Sequence, residues 1–175
     1  MVMEDDLMSV MQSAMRDMKA MSMSGDFDLD FAKMMKMHHQ AAVDMSQIVL
    51  AKGDNPQVKG WAQNILNEQK DEIGDLQMFI DNHKMSTMNN HDNTHDQLMM
   101  SAMKKMEEDM KMMKMYDDVD KHYVSMMIPH HQSAIDMAQM QLKHGGNAEL
   151  KKMAQMMIED QTKEIAAFND WINKN

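Results

Sequence analysis

Residues 126–137 read MMIPHHQSAIDM, and residues 34–45 read MMKMHHQAAVDM. The two stretches share the leading methionine pair, the histidine pair, the glutamine, the aspartate and the closing methionine at the same offsets. Their apolar residues recur three and four positions apart, which is typical of one face of a helix. We therefore expect each stretch to lie in a helix whose first histidine points at the core, while the second borders the same apolar stripe.

The similarity of these stretches extends along the chain. An offset of 92 residues places His38 on His130 and aligns the two halves without a gap, including Asp44 with Asp136. We predict two homologous units, residues 1–83 and 97–175, joined by a linker at residues 84–96. This linker is rich in asparagine and histidine, and its composition gives it little to bury. For His91 and His95 in the linker, and for His83 directly before it, a solvated segment is a better interpretation than a metal site.

Each unit reads as three helices. We predict the first over residues 4–22 and 96–114, the second over 28–52 and 120–144, and the third up to residues 82 and 174. Gly53 and Gly145 suit the left-handed position after a helix, and Asn55 and Asn147 suit N-caps, with Asp54 as an alternative. The fold is expected to be all-α, with the long hairpins packed as a four-helix bundle and the methionine-rich first helices alongside. Two separate small bundles are the alternative.

The composition limits the possible functions. The chain has 30 methionines in 175 residues, no cysteine and a net charge of −10. Without cysteine, a soft-metal site must use thioether and imidazole ligands. The acidic balance favours cations over nucleic acid, and no apolar run is long enough for membrane insertion. The first residues lack the pattern of a signal peptide, so we expect either a cytosolic protein or a chain whose leader has been removed.

The repeated histidine pairs have two interpretations. As core polar groups they would pair across the hairpin, His38 with Gln69 or Glu72 and His130 with Gln161 or Glu164. As ligands with the neighbouring methionines they suit copper, Cu(I) above all. The second interpretation is favoured because each pair is flanked by methionine and occurs twice. Pro129 supports a site, since a proline inside a helix kinks the chain just before the histidines.

Methionine is also frequent away from the histidine pairs. Leucine specifies a core better, so the choice of methionine favours several weak thioether sites. Short methionine spacings of this kind occur at Met21/Met23, Met85/Met88, Met103/Met106 and Met113/Met115.

The segment MMIPHHQSAIDMA, the following GGN and the later QTKEIAAFNDWI resemble the domain of unknown function 305 family. The resemblance implies a ferritin-like helical fold and, through the methionine-rich tandem members linked to copper resistance, copper binding in the periplasm or outside the cell. Cu(I) is the preferred ion, with Cu(II) and silver as further candidates. Two departures are Leu76 and Phe168, where the family often has methionine, and Met37 in place of the proline. The candidate metal ligands are Met34, Met35, His38, His39, Met45, Met126, Met127, His130, His131 and Met137.

We expect a non-enzymatic protein that sequesters or buffers copper for resistance or homeostasis, with metal ions and other copper-handling proteins as partners. A di-iron oxidase would need Glu-x-x-His pairs on facing helices, and the sequence contains none. The remaining alternative is a methionine-rich module that grips partner helices, with structural histidines.

Overall fold

The computed structural model describes residues 4–84 and 93–175. These residues form helices and connecting turns without a strand, which confirms the all-α prediction. The helices are α1 (Glu4–Ala20), α2 (Phe27–Lys52), α3 (Pro56–Asn82), α4 (Asn93–Met112), α5 (Val119–His144) and α6 (Ala148–Lys174). Helix α4 begins inside the predicted linker, while residues 85–92 and the side chain of His95 lie outside the described part of the chain.

The helix starts follow the predicted capping residues. The Asn55 side chain accepts hydrogen bonds from the backbone N–H groups of Gln57 and Val58, and Asn147 does the same for Glu149 and Leu150. Each side chain satisfies N–H groups that have no partner within the helix. The turn between α1 and α2 contains Gly25 at φ 81°, a left-handed conformation that glycine adopts at little cost.

The prediction of left-handed backbone at the two helix-ending glycines was wrong. Gly53 has φ −75° and Gly145 has φ −66°, both extended. Lack of room for a side chain explains these glycines instead. A Cβ atom at Gly53 would lie 2.4 Å from an oxygen of Asp120, and one at Gly145 would lie 2.2 Å from the side-chain nitrogen of Gln141. At Gly53 the crowding side chain comes from the other unit.

Helices α2 and α5 form the central layer of the molecule. Helix α2 contacts α1, α3 and α5, and helix α5 contacts α2, α4 and α6, so that α1 and α4 cover one side and α3 and α6 the other. One hydrophobic core contains side chains from all six helices. The single bundle is therefore correct, and the alternative of two separate bundles is wrong.

Two equivalent aspartates fix the antiparallel arrangement of α2 and α5. Asp120, in the first turn of α5, accepts hydrogen bonds from the backbone nitrogens of Asp54 (2.8 Å) and Asn55 (2.9 Å). Asp28, in the first turn of α2, accepts them from Gly146 (3.0 Å) and Asn147 (2.9 Å). Each unit thus caps the hairpin loop of the other with charge-assisted hydrogen bonds. The exchange gives the molecule a pseudo-two-fold axis that crosses the α2–α5 contact.

Candidate metal centre

The four predicted histidines form a continuous row across the middle of the α2–α5 contact. His38 and His130 stack on each other with ring centroids 3.7 Å apart. His39 lies 6.1 Å from His38, and His131 lies 6.0 Å from His130. All four residues are completely buried. We call His39, His38, His130 and His131 the histidine row.

Hydrogen bonds fix the tautomers of the two central rings. The Nε2 atom of His130 lies 3.1 Å from the backbone oxygen of His38, which can only accept, so this nitrogen carries hydrogen. The Nε2 atom of His38 lies 2.7 Å from Ser133 Oγ, whose own hydrogen is directed at the sulfur of Met106. His38 therefore donates to the serine. In both rings the lone pair is left on Nδ1, and both Nδ1 atoms are buried without a hydrogen-bond partner.

The environment keeps the two central rings neutral. Burial in the core is the main cause that lowers the pKa of His38 and of His130 well below the ordinary value, and the neighbouring imidazoles add to the shift. A neutral imidazole is the form that binds a metal ion. The orphaned Nδ1 atoms therefore have the protonation state of ligands.

The outer rings of the row face glutamates, which corrects the predicted pairing. His39 Nε2 lies 2.9 Å from Glu72 Oε2, and His131 Nε2 lies 2.7 Å from Glu164 Oε2. The prediction instead paired the first histidine of each unit with a residue of the third helix: His38 with Gln69 or Glu72, and His130 with Gln161 or Glu164. The N–H directions are not aligned with the oxygens, and the Nδ1 atoms of His39 and His131 are also without partners. Glu72 and Glu164 thus lie beside the outer rings without forming an aligned hydrogen bond to them.

The predicted methionines divide into two groups by distance from the row. Met34, Met35, Met126 and Met127 are completely buried one helical turn before the histidines. Met45 and Met137 are equally buried but follow the first histidine of each pair by two turns, roughly 10 Å along the helix axis. Along its own helix, the first group thus lies one turn from the histidines and the second group two turns. Pro129 lies inside α5 directly before His130, as predicted.

One methionine at the row was not among the predicted site residues. Met106 of α4 places its sulfur 3.1 Å from Ser133 Oγ, next to the hydroxyl that holds His38. Ser133 has no counterpart in the first unit, where Ala41 occupies the equivalent position. The Met103/Met106 spacing had been noted as a weak thioether site, but nothing in the sequence connects it with the histidines.

The residues present fit a soft cation better than a hard one. Among residues 4–84 and 93–175, no three His, Asp or Glu side chains converge on a common point. A site at the row would therefore combine imidazole nitrogen with thioether sulfur, a donor set that suits Cu(I). Four buried, unpartnered Nδ1 atoms beside buried methionines satisfy this requirement.

Carboxylates surround the outer ends of the row. Glu68 and Glu72 on α3 and their equivalents Asp160 and Glu164 on α6 lie near one another. Partial burial, followed by the charges of Glu164, Asp160 and Glu72, raises the pKa of Glu68. The negative potential on this side of the bundle attracts cations.

Comparison with known proteins assigns the family. Residues 28–172 match the model of the domain of unknown function family DUF305. Because the match spans most of the sequence, the chain belongs to this family. None of the curated proteins matches the sequence.

Solved structures include close matches to the fold. CopM in its Cu(II)-bound form is 26% identical with a TM-score of 0.63, covering 84% of this chain and 97% of CopM. CopM has also been solved with Cu(I), at 26% identity and a TM-score of 0.62 over 84% of this chain and 96% of CopM. A putative secreted DUF305 protein from Streptomyces coelicolor is 26% identical with a TM-score of 0.68, covering 87% of this chain and 95% of its own.

A membrane-spanning role has no support in the described helices. None of them combines the length and the apolar character needed to cross a bilayer.

Proposed function

We propose that this protein is a non-enzymatic copper-binding protein that sequesters or buffers copper, with Cu(I) as the preferred ion. Cu(II) and Ag(I) are further candidates, in line with the ions found in the similar CopM structures. Its role would be copper resistance or homeostasis, in the periplasm or outside the cell. A similar protein of the same family is described as secreted, which supports that location.

The observation that carries the proposal is the set of unpartnered imidazole nitrogens in the histidine row. A buried polar atom without a hydrogen bond costs roughly 1–3 kcal/mol, and all four Nδ1 atoms of the row are in this state. A purely structural histidine would be expected to use both ring nitrogens. A soft cation that binds Nδ1 removes this cost.

The residues that would hold the ion are the row and the methionines one turn away. His38 and His130 present neutral rings, while Glu72 and Glu164 place carboxylate oxygens 2.9 Å and 2.7 Å from the Nε2 atoms of His39 and His131. Buffering requires only that the ion binds reversibly, so the proposed function involves no reaction at the bound ion. Methionine also suits an oxidising compartment, because its sulfoxide can be reduced.

The test is an anaerobic Cu(I) titration in competition with a chromophoric chelator. We compare wild type with His39→Gln/His131→Gln and with Met34→Leu/Met126→Leu, which keep the side-chain volume close to the original. The control is Met11→Leu/Met103→Leu, an equivalent pair of buried methionines in α1 and α4. We expect the tightest binding to be lost in the first two variants and kept in the control.

Two results would contradict the proposal. If wild type does not compete with the chelator, the copper function is wrong, and the methionine-rich interaction module becomes the better interpretation. If the histidine variant is folded by circular dichroism and binds Cu(I) as tightly as wild type, the row is structural and the metal is held elsewhere.

A further inference from the structure

A groove on the surface carries thioethers that the histidine row does not use. It lies between the C-terminal half of α3 and the N-terminal half of α6, and encloses a cavity of about 670 Å³. Met78 from α3 and Met153 and Met156 from α6 line it. We call these three residues and the cavity between them the methionine groove.

Two of the three methionines of the groove are largely exposed to solvent. Met78 is 61% exposed and Met156 is 54% exposed. Single exposed apolar residues are common on protein surfaces, but here sulfur side chains from two helices converge on one cavity. Because little of the surface of Met78 and Met156 is buried, packing does not require methionine at these two positions, while Met153 is partly buried against the core.

The pseudo-two-fold axis provides an internal comparison. The positions equivalent to Met78, Met153 and Met156 are Asp170, Trp61 and Asn64. At that end of the α3–α6 face, Trp61 packs on Phe168 with ring centroids 5.2 Å apart and lies 6.3 Å from Trp171. The same fold thus closes one end with aromatic rings and leaves the other open with thioethers, so the methionines are not a consequence of the architecture.

The charges around the groove favour a cation. Glu72, Asp75 and Glu149 line it, opposed by Lys152. Glu72 is also the carboxylate that contacts His39 of the buried row. His83 lines the groove as well, but its ring nitrogen lies 2.7 Å from Asp26, to which it is paired.

We propose that the methionine groove is a second, solvent-accessible binding site for a soft monovalent cation, Cu(I) or Ag(I), with the thioethers of Met78, Met153 and Met156 as ligands. Thioethers select soft cations over Mg²⁺ or Ca²⁺, and the acidic rim raises the local cation concentration. The site shares its chemistry with the proposed copper function but uses none of the residues of the histidine row. Through Glu72 it adjoins the outer end of that row.

The test uses Ag(I), which binds thioethers as Cu(I) does and is stable in air. Protein labelled with ¹³C at the methionine methyl groups is titrated with Ag(I) and followed by NMR. We compare wild type with Met78→Leu/Met153→Leu/Met156→Leu, and we use Met112→Leu as the control because this methionine is exposed elsewhere on the surface. The three groove signals should shift together, and the triple variant should bind about one Ag(I) ion fewer per chain than wild type or the control.

The outcome separates the groove from the row. Groove signals that shift normally in His39→Gln/His131→Gln would support the groove even if the row binds no metal. The proposal is wrong if the three signals remain unshifted while other methionines respond, or if the folded triple variant binds as many ions as wild type.

Discussion

The histidine row offers imidazole nitrogens in a buried setting, whereas the methionine groove offers thioether sulfurs at the surface. The row is fully buried between α2 and α5, its two central rings stack on each other, and His130 donates a hydrogen bond to the backbone oxygen of His38. The groove is open, and two of its three methionines, Met78 and Met156, are largely exposed. Side chains in the row therefore fill the core as well as offering candidate ligand atoms, whereas Met78 and Met156 contribute little to the core. Burial decides whether a ligand can be changed without a cost in stability.

The two regions also differ in symmetry. The row occurs in both units at equivalent positions, because each half packs against the other. The groove occurs once, since a surface position is free to change after duplication. The following predictions measure how far this contrast between the row and the groove holds.

The largest effect is expected from emptying the centre of the row. The double variant His38→Ala/His130→Ala removes two stacked buried rings and leaves a cavity, so we expect the free energy of unfolding to fall by about 4 kcal/mol or more. Urea unfolding followed by circular dichroism measures it. A loss below about 1 kcal/mol would show that the row is loosely packed and that the contrast with the groove is wrong.

The second effect is a dependence of stability on pH. Because the pKa values of His38 and His130 are lowered in the folded state, the unfolded chain binds more protons as pH falls through about 6.5. Stability is therefore complete above this pH and decreases below it, by roughly 2–3 kcal/mol between pH 7.5 and 5.5 for two such groups. Urea unfolding at several pH values tests this.

The variant His38→Gln/His130→Gln provides the control for the pH prediction, because glutamine does not titrate. Its stability should change much less over the same range. An equally steep decrease in this variant would assign the pH dependence to other groups, and the row would then differ from the groove in packing alone.

A smaller loss of stability is expected from changing Ser133, which has no equivalent in the first unit. Ser133→Ala removes the hydroxyl that accepts from His38 Nε2 and should reduce the free energy of unfolding by about 1–2 kcal/mol, since a buried donor loses its partner. His130 donates to a backbone oxygen instead, so its ring should keep its orientation. Unfolding measurements with NMR of the imidazole nitrogens would show this; equal changes at both rings would contradict the assigned tautomers.

The smallest effect on stability is expected in the groove. Met78→Leu/Met156→Leu should change the free energy of unfolding by less than about 0.5 kcal/mol, because both side chains are largely exposed. Thermal unfolding without metal is the measurement. A clear destabilisation would mean that these methionines pack as core residues, and the distinction between row and groove would then be lost.

The helices and the buried histidines could be predicted because the sequence patterns that indicate them do not depend on how the helices pack. Periodicity, N-caps and the 92-residue offset each depend on neighbouring residues or on direct comparison of the halves. The histidine partners were wrong because α2 is surrounded by α1, α3 and α5, so both adjacent histidines are buried although they point about 100° apart. Whether His38 or His39 contacts Glu72 depends on how α1, α3 and α5 pack around α2.

The remaining differences also come from contacts between distant parts of the chain. Gly53 is required by Asp120 of the other unit, and Met106 reaches His38 through Ser133 from a third helix. Periodicity shows which residues share a face, and only the packed structure shows which of them are neighbours.

The reciprocal caps formed by Asp28 and Asp120 have an evolutionary consequence. A two-fold symmetric interface, in which both sides use the same surface, is typical of a homodimer. A single ancestral unit could have dimerised through the same helix, with its aspartate on the loop of its twin and its histidine pair facing an identical pair. After fusion of the two genes, the two halves of the interface would no longer have to be identical, so each could change independently. On this view the histidine row is the older feature, and Ser133 and the methionine groove arose after the copies became free to differ.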